Sequence, residues 1–312
     1  MSDAKPPFRE RAERLYLSFF AKPTDGTSAG IFRLMLGALA IWQAIAIGWN
    51  LRRFFAHDGL VPWEIVKNDR FIWAMPFGWA PKSDAMLYGQ AIIFAAAAVC
   101  LFVGFRPRIA TVVVAYLHAS FQVRNPFILN SGDRLFMIVA ALAVLVPLGH
   151  RYSIDALLRA RANRPAPLAT MWGQRIIGIQ IAYVYLNSAF AKLANERWRN
   201  GMALRDVLSS PVFAEWPRYI DIKPLIWFFT YSTLLFELSF PLGVWFKRYR
   251  PYLLLWGVGF HIGIDVTMVI PIFSAIMIAS YPVYLTDDEA KWVLARLRSP
   301  SLLLPRRQPA ST

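Results

Sequence analysis

Residues 30–49 read GIFRLMLGALAIWQAIAIGW, with Arg33 as the single charge. As a helix this stretch is about 30 Å long, the thickness of a bilayer's hydrocarbon core. It is apolar all the way round, so no solvent-facing side remains for a surface helix, and it reads as a membrane span. Seven more apolar blocks follow, at about residues 86–105, 109–123, 135–149, 172–193, 225–246, 252–269 and 271–285. The expected fold is all-α, a polytopic transmembrane helical bundle of about eight spans.

Composition agrees. Hydrophobic residues make up 57% of the 312 and charged residues 17%, against roughly 25% charged in soluble domains. The single cysteine, Cys100, lies inside an apolar block, which excludes an intrachain disulfide framework and reads as packing. The net charge of +15 raises the question of nucleic acid, but the basic residues are scattered between apolar blocks. Read by loop, with the N-terminus inside, the inner segments carry 20 Lys and Arg against 8 Asp and Glu, and the outer loops 12 against 9. That asymmetry is the positive-inside pattern, so the expected topology is N-in and C-in, and no nucleic-acid partner is needed. The expected location is a cell membrane, as a multi-pass protein of a bacterial inner membrane.

The organisation expected is a cytoplasmic amphipathic segment over 1–24, a membrane domain over 25–285, and a cytoplasmic helix and tail over 286–312. Arg9 to Arg14 before Leu15-Tyr16-Leu17 reads as a short helix lying on anionic lipid. Thr286 with Asp287, Asp288 and Glu289 is a helix start of capping-box type, and Pro300 and Pro305 end that helix.

Four charges fall inside apolar blocks: Arg33, Lys192, Glu237 and Asp265. Each costs a few kcal/mol or more unless paired or hydrated, and their charges sum to zero, which points to internal pairing. Counting along the blocks puts Arg33 and Glu237 in the inner half, so they are expected to form a structural ion pair. Lys192 falls toward the outer leaflet, level with Asp265 and Asp133. For Lys192, position alone allows an amine that snorkels to the interface or one held out of water, where it can serve as a base.

Blocks three and four reach only about 22 Å each as helices, so their connection, Arg124 to Arg134, is expected to lie partly at membrane depth. Irregular backbone there must be buried in protein or line a cavity. Asn125, Asn130 and Asp133 then face that cavity, or Asn130-Ser131-Gly132-Asp133 simply caps the fourth helix. His118 ends the third block. His261 and Asp265 are four apart on one helix face, so the carboxylate can orient the imidazole, or each histidine is only hydrogen-bonded in the core. Two histidines and an aspartate this dispersed do not make a metal site. Gly257, Gly259 and Gly263 are read as packing positions. Phe54, Phe55, Trp63, Phe71, Trp73, Phe77 and Trp79 form an interfacial belt or a lid over a flat ligand. There is no P-loop, dinucleotide fingerprint or Ser-His-Asp context.

Several of these stretches occur together in a recognisable order. Ile31-Phe32-Arg33, the Arg124-Asn125-Pro126 to Asn130-Ser131-Gly132-Asp133 loop, Phe190-Ala191-Lys192-Leu193 with Trp198-Arg199-Asn200-Gly201, Phe236-Glu237-Leu238 and Phe260-His261 resemble the HTTM family. This is the horizontally transferred transmembrane domain shared with vitamin K-dependent gamma-carboxylases, and the resemblance covers about residues 25–285. It implies that Lys192 matches the lysine that deprotonates vitamin K hydroquinone, after which reaction with oxygen gives the quinone epoxide. His261 resembles the histidine that follows phenylalanine in the family, and Arg33 and Glu237 look like family positions too. Carboxylases carry a histidine after paired asparagines where this chain reads Asn130-Ser131-Gly132-Asp133, and they have a large luminal domain that this sequence lacks. Protein carboxylation is therefore not expected.

The resulting expectation is a quinol-binding oxidoreductase or epoxidase, with a reduced naphthoquinone as cofactor, Lys192 as base, and His261 and Asp133 beside it. Asn125, Asn130, His118 and Asp265 are the expected ligand contacts. The alternative is a noncatalytic accessory or immunity protein that binds lipid or a membrane or periplasmic partner protein.

Overall fold

The computed structural model describes residues 8–66, 81, 83–212, 222–270 and 272–298. Phe71, Trp73, Phe77 and Trp79 of the aromatic loop, and Pro300 and Pro305, lie outside the described residues. The helices in chain order are α1 (Phe8–Phe19), α2 (Thr27–Trp49), α3 (Leu51–Phe55), α4 (Trp63–Val66), α5 (Asp84–Val103), α6 (Pro107–Arg124), α7 (Ser131–Ala143), α8 (Ile154–Arg161), α9 (Trp172–Ala194), α10 (Glu196–Arg199), α11 (Ala203–Ser209), α12 (Lys223–Gly243), α13 (Arg250–Thr267), α14 (Phe273–Ser280) and α15 (Asp287–Arg298). Short 3₁₀ turns at Pro126–Ile128 and Tyr281–Tyr284 complete them.

Each of the eight apolar blocks falls on a helix, with the last shared between α14 and its 3₁₀ turn. Four of them, α2, α5, α9 and α12, are long and apolar enough to cross a membrane. Trp42, Trp49, Ile92, Leu242, Tyr252 and Leu255 on the bundle's outside are mostly exposed, as side chains facing lipid are. The core beneath is aromatic-rich, with Phe32, Phe94, Phe121, Phe136, Phe236 and Phe240 fully buried.

The chain packs as two groups. α2, α5, α6 and α7 follow one another, and α9, α12 and α13 form the second set, with the short α14 wedged against α2, α7, α9 and α13. The α2–α5 contact is close because Gly37 has no Cβ: one placed there would lie 2.5 Å from Phe102 Cα. The end of the bundle that carries α1 and α15 is its terminal face, and the opposite end is its distal face.

Arg33 explains how the terminal face closes. It is fully buried, and its guanidinium donates to the backbone carbonyls of Leu101, at 2.8 Å, and of Phe102 and Tyr152. Leu101 and Phe102 belong to the last turn of α5, whose carbonyls have no partner within the helix and carry the negative end of its dipole. The expected Arg33–Glu237 pair is therefore not formed. Arg33 is a cap for a neighbouring helix, and carbonyl oxygens take its two terminal nitrogens in place of a carboxylate.

A second closure lies beside it. Asp287, at the start of α15, accepts from Thr24 Oγ1 and Asp25 N at 2.8 Å and from Ser28 N at 3.2 Å, so it caps α2 from the far end of the chain. Thr286 and Glu289 make the reciprocal bonds of a capping box, as the sequence predicts. Asp25 pairs with Lys291 at 2.6 Å and Arg151 at 3.3 Å. Burial pushes the Asp25 carboxyl up, but hydrogen bonds from Lys291 and Thr27 and the charge of Arg151 outweigh it and hold the group well below the usual carboxylate range. A carboxylate depressed in the folded state adds stability that is full above its unfolded pKa and is lost as pH falls toward the folded one. The melting midpoint of the detergent-solubilised protein is thus expected to fall as pH drops below about 4, and less so in Asp25→Asn. Equal acid sensitivity in the two proteins would show that the Asp25 cluster contributes nothing to this closure.

Candidate functional site

Lys192, Glu237, His261, His118, Asn130 and Asp133, among the polar residues predicted from sequence, fall into two separate polar regions. The first is built on α9. Tyr185, Ser188 and Lys192 stand three and four residues apart, so they line one helical face that meets α12. Lys192 Nζ lies 2.6 Å from Glu237 Oε1 and 2.6 Å from Ser188 Oγ, and Ser188 donates to the same carboxylate oxygen at 3.1 Å. The Trp198 ring covers the amine, its centroid 5.1 Å from Nζ. The Lys192 side chain keeps 20% of its exposure and that of Glu237 only 5%. Glu237 Oε2 is buried and has no hydrogen-bond partner among the described residues.

Helix offset makes this pair. Glu237 is fourteen residues into α12, about 21 Å along it, whereas Lys192 sits in the last turn of α9. The antiparallel contacts match Tyr185 with Phe240, ring centroids 4.5 Å apart, and Ser188 with Glu237. The start of α12 therefore extends past the end of α9, alongside α10 and α11, where Leu204 N meets Thr230 Oγ1 and Tyr231 Oη donates to the Arg199 carbonyl. Lys192 consequently stands below the distal end of the bundle.

About two turns deeper than Lys192, Tyr185 Oη lies 2.7 Å from His261 Nε2 and 2.7 Å from Tyr281 Oη, all three side chains being buried. Gly257 makes room for this: a Cβ there would stand 2.2 Å from Tyr281 Oη. Gly259 and Gly263, expected to pack in the same way, have no neighbour within 4 Å. The expected His261–Asp265 contact is also absent, because His261 is turned inward onto Tyr185 while Asp265 is exposed. A phenol thus orients the imidazole where a carboxylate was expected.

The second group lies where α2, α6 and α7 meet. Gln43 Nε2 donates to Asp133 Oδ1 at 2.8 Å and lies 3.1 Å from His118 Nε2, which is itself 3.6 Å from Asp133 Oδ1. The other carboxylate oxygen accepts from Asn130 Nδ2 at 2.7 Å, and Asn130 Oδ1 accepts from the Gly132 and Asp133 amides. Asn130 and Asp133 are a complete capping box for α7, so the capping reading holds, while His118 and Gln43 add a buried cluster behind it. Asn125 is held differently: its amide donates to the Phe54 carbonyl and its Oδ1 accepts from Phe127 N, which ties it into the loop backbone. Arg124 ties down the same loop through the carbonyls of Ala56 and Val61 and stands over the Trp63 ring. Gln43, Tyr185 and Tyr281 were not singled out in the sequence, although a glutamine within an apolar span and a tyrosine at helical spacing from Lys192 are both readable signals.

Apolar helices long enough to cross a bilayer, closed around buried charge and hydrogen-bonded polar groups, define an integral membrane protein with a polar interior. The HTTM domain model matches residues 21–289, so the chain belongs to the HTTM family. It is 27% identical over 195 residues to the sporulation-delaying protein SdpB of Bacillus subtilis (strain 168), a stretch that is 59% of this chain and 59% of SdpB. The match thus spans about three-fifths of that relative's length. No solved structure matches the chain.

Proposed function

We propose that this HTTM protein binds a quinol at the Lys192 site and oxidises it, with the Lys192–Glu237 pair receiving the hydroxyl proton, in a bundle of eight spans with both termini on the cytoplasmic side. The observation that supports this is the pairing of a lysine amine with a buried carboxylate whose second oxygen has no partner. A quinol hydroxyl is the kind of donor that oxygen lacks, and the adjoining amine stabilises the charge left when the proton moves. Ser188 and the Trp198 ring hold the amine in place, which is what general-base catalysis asks of its surroundings. Trp198 also offers a flat apolar surface of the type a naphthoquinone ring stacks on. With oxygen as co-substrate the balance closes, since quinol plus O₂ yields quinone epoxide plus water.

The test is oxidation of menaquinol and vitamin K hydroquinone by purified protein in oxygenated buffer, with epoxide followed by mass spectrometry. Wild type is expected to form epoxide, and Lys192→Ala to lose about a hundredfold or more in rate, the usual contribution of a positioned base. Folded wild type that forms no epoxide from either quinol would overturn the reading.

A further inference from the structure

The cluster around Asp133 has polar neighbours that no group among the described residues satisfies. Among the described residues ten buried side-chain atoms lack a hydrogen-bond partner, and five belong to one region: both amide atoms of Gln90, Oε1 of Gln122, Nδ1 of His118 and Nε of Arg124. The exposures are 5% for Gln90, 3% for Gln122 and 0% for His118 and Arg124. A buried polar group left unpaired is costly, and native proteins meet such groups with ordered water where two to four polar partners converge.

The helix geometry stacks these atoms in a column. Phe94 of α5 lies beside His118 of α6, ring centroids 6.3 Å apart, which sets the two antiparallel helices level. Gln90 precedes Phe94 by four residues and Gln122 follows His118 by four, so each stands one turn, about 6 Å, toward the distal face. Arg124 lies beyond them and bonds the loop after α3. At the base, the Gln43 amide donates to Asp133, and its approach to His118 Nε2 makes that ring nitrogen the acceptor. The ring proton of His118 then sits on Nδ1, a buried donor with no acceptor among the described residues.

We infer that Gln90, Gln122 and His118 hold a column of internal water that reaches from the distal face to the His118–Asp133 couple and lets that couple exchange protons with the aqueous phase. The ligand is water itself, and the inference is independent of the quinol reading. The glutamines suit the role because each offers a donor and an acceptor without carrying charge into the membrane, so a water chain passes from one to the next at little cost.

Solid-state NMR of protein in liposomes, labelled with ¹⁵N at glutamine and histidine and with ¹³C at alanine, tests this by magnetisation transfer from water. The Gln90 and Gln122 side-chain amides and the His118 ring N–H, assigned by their loss in Gln90→Leu, Gln122→Leu and His118→Phe, are expected to take up water magnetisation several-fold faster than the methyl of Ala98, which is equally buried. Uptake no faster than at Ala98 would overturn the column. The Gln90→Leu/Gln122→Leu double variant gives a second reading. A hydrated column predicts that water transfer to His118 falls several-fold, whereas a dry one predicts a raised melting midpoint and unchanged transfer, because apolar side chains then replace unsatisfied amides.

Discussion

Arg33→Ala is expected to abolish stable expression or to lower the melting midpoint more than any other single substitution on the terminal face. The guanidinium meets three backbone carbonyls, those of Leu101, Phe102 and Tyr152, in a site with no exposure. Removing it takes the side-chain donor from the Phe102 and Tyr152 carbonyls, each at about 1–3 kcal/mol, leaves the Leu101 carbonyl only its bond from the Gly104 amide, and opens a cavity between α2 and α5. Together that approaches the whole stability of many domains, about 5–15 kcal/mol. Arg33→Lys is expected to recover only part, since an ammonium is a single donor centre where the guanidinium is a fork. The charge-swapped Arg33→Glu/Glu237→Arg variant is expected to be no better than the worse single variant, because the two side chains do not meet. Size-exclusion profiles and thermal unfolding in detergent read these variants and the two singles of the swap. Rescue by the swap would refute the capping role, and so would an Arg33→Ala protein that melts like wild type.

The swap also shows what the sequence alone did and did not disclose. All eight apolar blocks became helices because hydrophobicity along the chain is a local property, and so is a capping box such as Thr286 to Glu289 or Asn130 to Asp133. Pairing of buried charges is not local. Counting depth from block ends treats every helix as beginning at the same level, which sets Glu237 beside Arg33. The structure slides α12 past the end of α9, which brings Glu237 level with Lys192, and it gives Arg33 the carbonyls at the end of α5, partners with no signature in side-chain sequence. The same lesson covers His261, where helical spacing suggested Asp265 but the packing of α13 against α14 and its 3₁₀ turn turned the ring toward Tyr185 and Tyr281.

Lys192→Met is expected to destabilise the protein by about 3–5 kcal/mol, because it leaves the Glu237 carboxylate buried without its counter-charge. Glu237→Leu should cost less, as the Lys192 side chain is 20% exposed and the freed ammonium reaches water by reorienting. The double variant Lys192→Met/Glu237→Leu is expected to regain most of the loss, since apolar residues of similar size often replace a buried ion pair without penalty. A double-mutant cycle on thermal unfolding measures this, and strictly additive effects would show that the 2.6 Å contact carries no coupling. The cycle also separates stability from chemistry, which single substitutions at a buried charge confound. If the pair serves only to close the bundle, the double variant should retain whatever activity the wild type shows in the quinol assay. If it receives the quinol proton, the double variant should be as stable as wild type and form no epoxide, because methionine and leucine restore packing but offer no proton acceptor.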